Sequence, residues 1–91
     1  MQKSLNSPEY KRLIVILVAV RKKSHVRQQM LADKLGTPQS FVAKYEDCQR
    51  RIDLVEFVTI ARALNADPVE LFREFIAAEP KVKSRRKSRV R

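Results

Sequence analysis

A single glycine occurs in the 91 residues, and it stands in the stretch LADKLGTPQSFVAKYE, Leu31 to Glu46. The text on either side is helix-forming, and only Thr37 separates Gly36 from Pro38. Glycine takes a left-handed backbone without strain, and proline is favoured in the first turn of a helix. One helix therefore stops and another starts almost at once, so the two must cross at a steep angle. With one glycine and four prolines in the whole chain, turn material is too scarce for a protein of many short strands. An all-α fold is expected, compact and built of five helices.

The remaining helices can be placed from caps and periodicity. Ser7 serves as N-cap of helix one, Pro8 fits its first position and Glu9 favours its positive end. Helix two spans roughly Arg27 to Leu35, with Leu31, Ala32 and Leu35 on one face and Gly36 ending it. Helix three has Pro38 in its first turn and runs to about Asp47. Asp53 caps helix four through about Leu64, where Val55, Val58, Ile60, Ala61 and Leu64 recur at helical intervals. Asn65 tolerates the left-handed turn, Asp67 caps before Pro68, and helix five carries Leu71, Phe72, Phe75 and Ile76.

One run superficially suggests secretion. LIVILVAV, Leu13 to Val20, is apolar throughout, but basic residues follow at once where a cleavage region should lie. It also falls far short of the roughly 20 residues that cross a bilayer. A buried first helix accounts for it, and because it is apolar on all sides, part of it is expected to face a partner chain.

On a wheel of 100° per residue, Val42 and Tyr45 of helix three point inward with Phe41 at the margin. Gln39, Ser40, Ala43, Lys44 and Asp47 fall on the other side. That outward face is short, polar and uncrowded, which suits a helix entering a B-DNA major groove.

The stretch Gln28 to Tyr45 resembles the helix-turn-helix of the Xre family, the Cro and phage-repressor-like DNA-binding proteins. Gln28 opens helix two, Ala32 is the small residue at the crossing, Gly36 is the turn, and Val42 and Tyr45 are the inward positions. SPEY before helix one, YEDCQRRI after helix three and ARALNADPVEL near the end are similar as well, so the resemblance covers about residues 7–76. It implies a lambda-repressor-like fold whose partner is double-stranded DNA. It implies that Gln28 binds a phosphate and that Gln39 reads a base, for which the amide can pair with adenine N6 and N7. Ser40, Ala43 and Lys44 complete the base-facing set, and Arg27, Arg50 and Arg51 are placed for the DNA backbone. It further implies that Arg21 pairs with Glu46, fixing helix three against helix one. Three positions depart from the family pattern. Arg27 stands where Ser or Thr usually caps helix two. Pro38 replaces a polar cap, a duty that falls to Thr37. Cys48 stands where glycine commonly ends the recognition helix, which argues against a simple left-handed cap there.

Charge divides the chain. The formal net charge is +10, yet residues 81–91, KVKSRRKSRVR, hold seven Lys and Arg and no acid, leaving a net of +3 for residues 1–80. The expected organisation is an N-terminal arm at 1–7, a DNA-binding domain at 8–79 and a basic, disordered C-terminal tail at 80–91. The tail is either a solvated solubility aid or an arm that tracks phosphates, the reading favoured here. A lone Cys48 and a lone His25 offer no disulfide and no metal cluster. No paired carboxylates, Ser/His/Asp set or phosphate-cradling loop suggests an enzyme. No cofactor and no membrane partner are expected. A cytoplasmic, bacterial or phage regulator is, acting as a homodimer on an inverted-repeat operator, with repression favoured over activation. The alternatives are the antitoxin of a toxin–antitoxin pair and a sequence-indifferent nucleoid or RNA-binding protein.

Overall fold

The computed structural model describes residues 7–77 and places five α-helices there, with no strand among the described residues. These are α1 (Pro8–Lys23), α2 (Gln28–Leu35), α3 (Gln39–Glu46), α4 (Leu54–Ala63) and α5 (Pro68–Ala77). α2 packs most extensively against α3, α1 lies on α3 and α5, and α4 joins α2 to α5. Tyr45, Leu17, Leu31, Ile60 and Val42 are the largest fully buried side chains, one or more from each of the first four helices. Burial of each such aliphatic side chain contributes about 1.5–3 kcal/mol.

Helix starts follow local chemistry. Ser7 Oγ accepts from the Tyr10 amide at 3.2 Å, and Pro8 occupies the first turn. Asp53 and Glu56 form a capping box on α4, in which the Glu56 amide donates to Asp53 Oδ1 at 2.7 Å and the Asp53 amide to Glu56 Oε1 at 2.9 Å. At α5 the Val69 amide donates to Asp67 Oδ1 at 2.9 Å.

Helix ends share one device. After each of the first four helices a residue takes a left-handed backbone: His25, Gly36, Cys48 and Asn65. Around each, paired amides reach back to the last turn, as Cys48 N to Tyr45 O at 3.1 Å and Gln49 N to Lys44 O at 2.8 Å. Equivalent pairs join His25 and Val26 to Lys22 and Arg21, Gly36 and Thr37 to Asp33 and Ala32, and Asn65 and Ala66 to Arg62 and Ala61. These are Schellman motifs. Cys48 therefore does adopt the left-handed cap that its side chain argued against, because two backbone hydrogen bonds outweigh a strain of about 1–2 kcal/mol.

Two expectations from the sequence are corrected. Thr37 does not cap α3: its Oγ1 is buried without a partner, and the extended Pro38 holds the N-cap position with no side-chain bond. Val55 is not a core residue but 74% exposed, and Phe57 is buried instead. Phe57, Ile60, Ala61 and Leu64 are the positions spaced by three, four and seven, and Val55 lies about 200° away from Phe57 on the same helix. In α1 the apolar run is shared out, with Ile14 and Leu17 buried, Leu13, Ile16, Val18 and Val20 packed on the core, and Val15 exposed. Most of the N-terminal arm and all of the basic tail lie outside the described residues.

Candidate nucleic-acid interface

The rotation of α3 is set by Val42 and Tyr45, which are completely buried, and by Phe41, whose ring meets Tyr45 edge-on at 5.5 Å between centroids. Burial pushes the Tyr45 hydroxyl far above its ordinary range, so the ring stays neutral. With that face held inward, Gln39, Ser40, Lys44 and Asp47 are exposed on the other side and Ala43 is half-buried between them. The face offers an amide, a hydroxyl, an ammonium and, at its far end, the Asp47 carboxylate, with the Ala43 methyl leaving room for close approach.

A buried ion pair anchors this helix. Arg21 Nε donates to Glu46 Oε2 at 2.7 Å and Arg21 Nη2 to Glu46 Oε1 at 2.9 Å, while Nη1 reaches Val26 O at 2.8 Å. The two side chains retain only 10% and 7% of their exposure. From this pair a hydrogen-bonded line runs to the surface. Gln28 Nε2 donates to Glu46 Oε1 at 2.8 Å, and Gln39 Nε2 donates to Gln28 Oε1 at 2.8 Å. The structure thus brings four of the sequence-derived site residues, Arg21, Glu46, Gln28 and Gln39, into one network. Both helices that begin here lack a side-chain cap, since Arg27 and Pro38 make none. Their first amides are left for solvent or for an anion, and the exposed Arg27 stands at the start of α2.

Arg50 and Arg51 do not join that network. Arg50 makes a two-pronged contact to Glu56, Nη1 to Oε1 at 3.1 Å and Nη2 to Oε2 at 3.0 Å, and its guanidinium lies 4.7 Å over the Phe41 ring. Arg51 lies 4.9 Å over the Tyr10 ring. The Tyr10 hydroxyl pins the backbone between α3 and α4, donating to Arg50 O at 2.9 Å and accepting from Ile52 N at 3.2 Å. Burial is the main cause that raises the Tyr10 hydroxyl above its ordinary value. Hydrogen bonds from Arg50, and then from the Asp53 amide, hold the Glu56 carboxyl below its ordinary value. Both arginines thus sit on aromatic platforms at one end of α3, in a loop held by side chains from α1 and α4.

Sequence reasoning missed Tyr10, Phe41 and Glu56 as supports of this loop. The capping-box spacing of Asp53 and Glu56 was a usable signal for Glu56. Tyr10 carries none, because its partners lie 40 and 42 residues away. Among the described residues no group of His, Cys, Asp and Glu could hold a metal ion. No described helix is long and apolar enough to cross a membrane.

Comparison with known proteins agrees with the geometry. The helix-turn-helix family model HTH_3 matches residues 17–71. An XRE-family like protein from Pseudomonas syringae pv. tomato str. DC3000 is 38% identical and superposes with a TM-score of 0.76, covering 79% of this chain and 88% of that one. A point mutant of the restriction-modification controller protein C.Esp1396I, 18% identical, superposes with a TM-score of 0.71 over 88% of this chain and 98% of the other, a likeness of fold. No curated protein matches the sequence. The matched segment contains the whole of α2, the turn and α3 together with the buried Arg21–Glu46 pair, and the chain belongs to the XRE family of helix-turn-helix proteins, with that family's DNA-binding regulator fold.

Proposed function

We propose that the protein is a sequence-specific transcriptional regulator, a repressor, that binds an inverted-repeat operator as a homodimer. The observation that carries the reading is the exposed polar face of α3 held rigid from behind by the buried Arg21–Glu46 pair. In this reading Gln39, Ser40, Ala43 and Lys44 meet base edges. Gln28, Arg27, Arg50 and Arg51 meet phosphates, for which the uncapped starts of α2 and α3 also favour anions. Residues 8–79 form the DNA-binding domain, and residues 80–91 track the backbone.

Dimerisation is supported by an apolar strip on α4 and α5. Leu54, Val69, Phe72 and Ile76 are between 45% and 69% exposed, and they border shared shallow grooves. One recognition helix reads only a few base pairs, so a second is needed about 34–36 Å away along the duplex. The same strip would suit the toxin partner of an antitoxin, and co-purification of a neighbouring-gene product would favour that reading.

Gln39→Ala tests the assignment. Its loss removes contacts to one base edge, so operator affinity falls by roughly 1–3 kcal/mol while affinity for random duplex at the same salt stays nearly unchanged. Equal losses on both duplexes would remove α3 from the role of reader. A wild-type preference for operator near unity would instead favour the sequence-indifferent nucleoid reading.

A further inference from the structure

Of the residues on the outward face of α3, Asp47 alone is acidic, and an acid there is costly. A carboxylate at the C-terminal end of a helix meets the negative end of the helix dipole, and beside a duplex it is repelled by phosphates. Asp47 is exposed, and its carboxylate forms no ion pair with any described residue. Its backbone is nonetheless fixed on both sides. The Asp47 amide donates to Ala43 O at 3.0 Å, and Glu46 before it is held by Arg21. The Cys48 and Gln49 amides after it return to Tyr45 O and Lys44 O at 3.1 and 2.8 Å. A short side chain on so rigid a stretch presents its oxygens in a narrow range of directions. At a rise of 1.5 Å and a turn of 100° per residue, Asp47 lies about 12 Å along α3 from Gln39 and about 80° around it. The major groove is about 12 Å wide, so both ends of so short a helix fit against base edges.

We infer that Asp47 is a specificity-determining residue that selects cytosine, accepting a hydrogen bond from the N4 amino group. The inference rests on the proposal that α3 reads bases. A carboxylate only accepts hydrogen bonds, and the major groove offers donors at cytosine N4 and adenine N6 alone. Guanine N7 and O6 and thymine O4 are acceptors, so each sets its lone pairs against the carboxylate. Adenine carries the acceptor N7 beside N6, where it meets the second carboxylate oxygen. Cytosine has no acceptor on its major-groove edge, so it alone accommodates both oxygens. The charge that opposes phosphates thus also opposes the wrong bases, and discrimination comes from repulsion as much as from the bond formed.

The test is selection of sites from a randomised duplex pool by wild type, Gln39→Ala, Asp47→Ala and Asp47→Asn. It is followed by affinity measurements on duplexes that differ at one position. Wild type should prefer C over each other base by roughly 5- to 150-fold, the cost of one mismatched base pair. With 3.4 Å between base pairs, that position should lie roughly three or four steps from the one whose preference Gln39→Ala abolishes. Asp47→Ala should abolish the preference for C, keep the others, and bind random duplex more tightly because a repelled charge is gone. Asp47→Asn should move the preference from C to A, since an amide offers an acceptor to N6 and a donor to N7. Asp47 is exposed, so both variants should fold as wild type does, which thermal unfolding checks. A uniform rise in affinity with every base preference kept would place Asp47 near phosphates only and overturn the inference. A preference for G, A or T at the position that Asp47→Ala relaxes overturns it as well. A wild-type protein with no base preference anywhere defeats the base-reading proposal and this inference with it, whereas failure of this inference alone leaves the preference tied to Gln39 in place.

Discussion

His25 and Cys48 take the left-handed conformation with φ of 59°, a region where a side chain is strained. His25 is exposed, whereas Cys48 is half-buried against the core. His25→Gly should therefore stabilise the domain by about 1 kcal/mol, after the added freedom of glycine in the unfolded chain offsets part of the relief. For a domain of this size that raises the melting temperature by about 4–8 °C per kcal/mol. The same change at Cys48 should gain less, because packing is lost along with strain. Thermal unfolding of both variants checks the pair, and equal gains would show that packing at Cys48 contributes nothing. Gln39 is the complementary residue at this scale: it lies on the surface and its substitution should show in DNA affinity while leaving the fold alone.

At the scale of elements, the corner between α3 and α4 is held by Glu56, which belongs at once to the capping box and to the Arg50 contact. Hydrogen bonds from Arg50 and the Asp53 amide lower the Glu56 carboxyl below its ordinary value of 4.5. A carboxyl whose value is lowered by folding binds fewer protons in the native state, so it adds stability above its unfolded value. That contribution is lost as pH falls through the lowered native value. Denaturant unfolding of wild type and Glu56→Gln should differ at neutral pH and converge as pH falls below about 4.5, since glutamine has no proton to take up. A gap independent of pH would show that the charge on Glu56 does not matter to this corner. Loosening the corner also releases Arg50 from its place over Phe41, which ties stability here to the DNA-backbone role proposed for the loop.

For the whole molecule, the consequences concern assembly and charge. Val69 is 60% exposed in the first turn of α5, where an acidic side chain is favoured by the helix dipole. Val69→Glu should leave the monomer folded while opposing two like charges across a two-fold interface. Sedimentation equilibrium should then show a monomer, and operator affinity should fall because the two half-sites are no longer bound together. An unchanged dimer would move the interface to another face. Residues 81–91 contribute seven of the 20 Lys and Arg, enough to dominate the salt dependence of binding if they engage phosphates. Each neutralised phosphate adds about 0.9 to the slope of log affinity against log salt. Deleting 81–91 should flatten that slope by several units and leave the preferred bases unchanged, since backbone contacts carry little sequence information. A salt titration with and without these residues measures it, and an unchanged slope returns them to the solubility reading.

Where several of the helices begin and end was decided locally, and the sequence by itself determined those boundaries. Ser7 with Pro8, Gly36, Asp53, Asn65 and Asp67 with Pro68 each act on backbone within one turn, and each does so in the structure. The inward and outward faces of α3 were equally readable, because Val42 and Tyr45 share a side of the helix whatever packs on them. What only the tertiary structure decided is the set of partners brought together by packing. Val55 and Phe57 both fit a helical apolar pattern, and the position of α2 and α5 around α4 chose Phe57. Thr37 lost its capping role because the chain entered α3 through an extended Pro38. Arg50 and Glu56 are six residues apart in sequence, but their contact depends on a loop that Tyr10 pins from another helix. The line from Glu46 through Gln28 to Gln39 likewise joins two helices whose crossing brings three side chains within 2.8 Å of one another in turn. Caps and periodicity are short-range properties of a backbone with fixed geometry, whereas hydrogen-bond partners between helices depend on the angles and separations at which a buried core lets those helices meet.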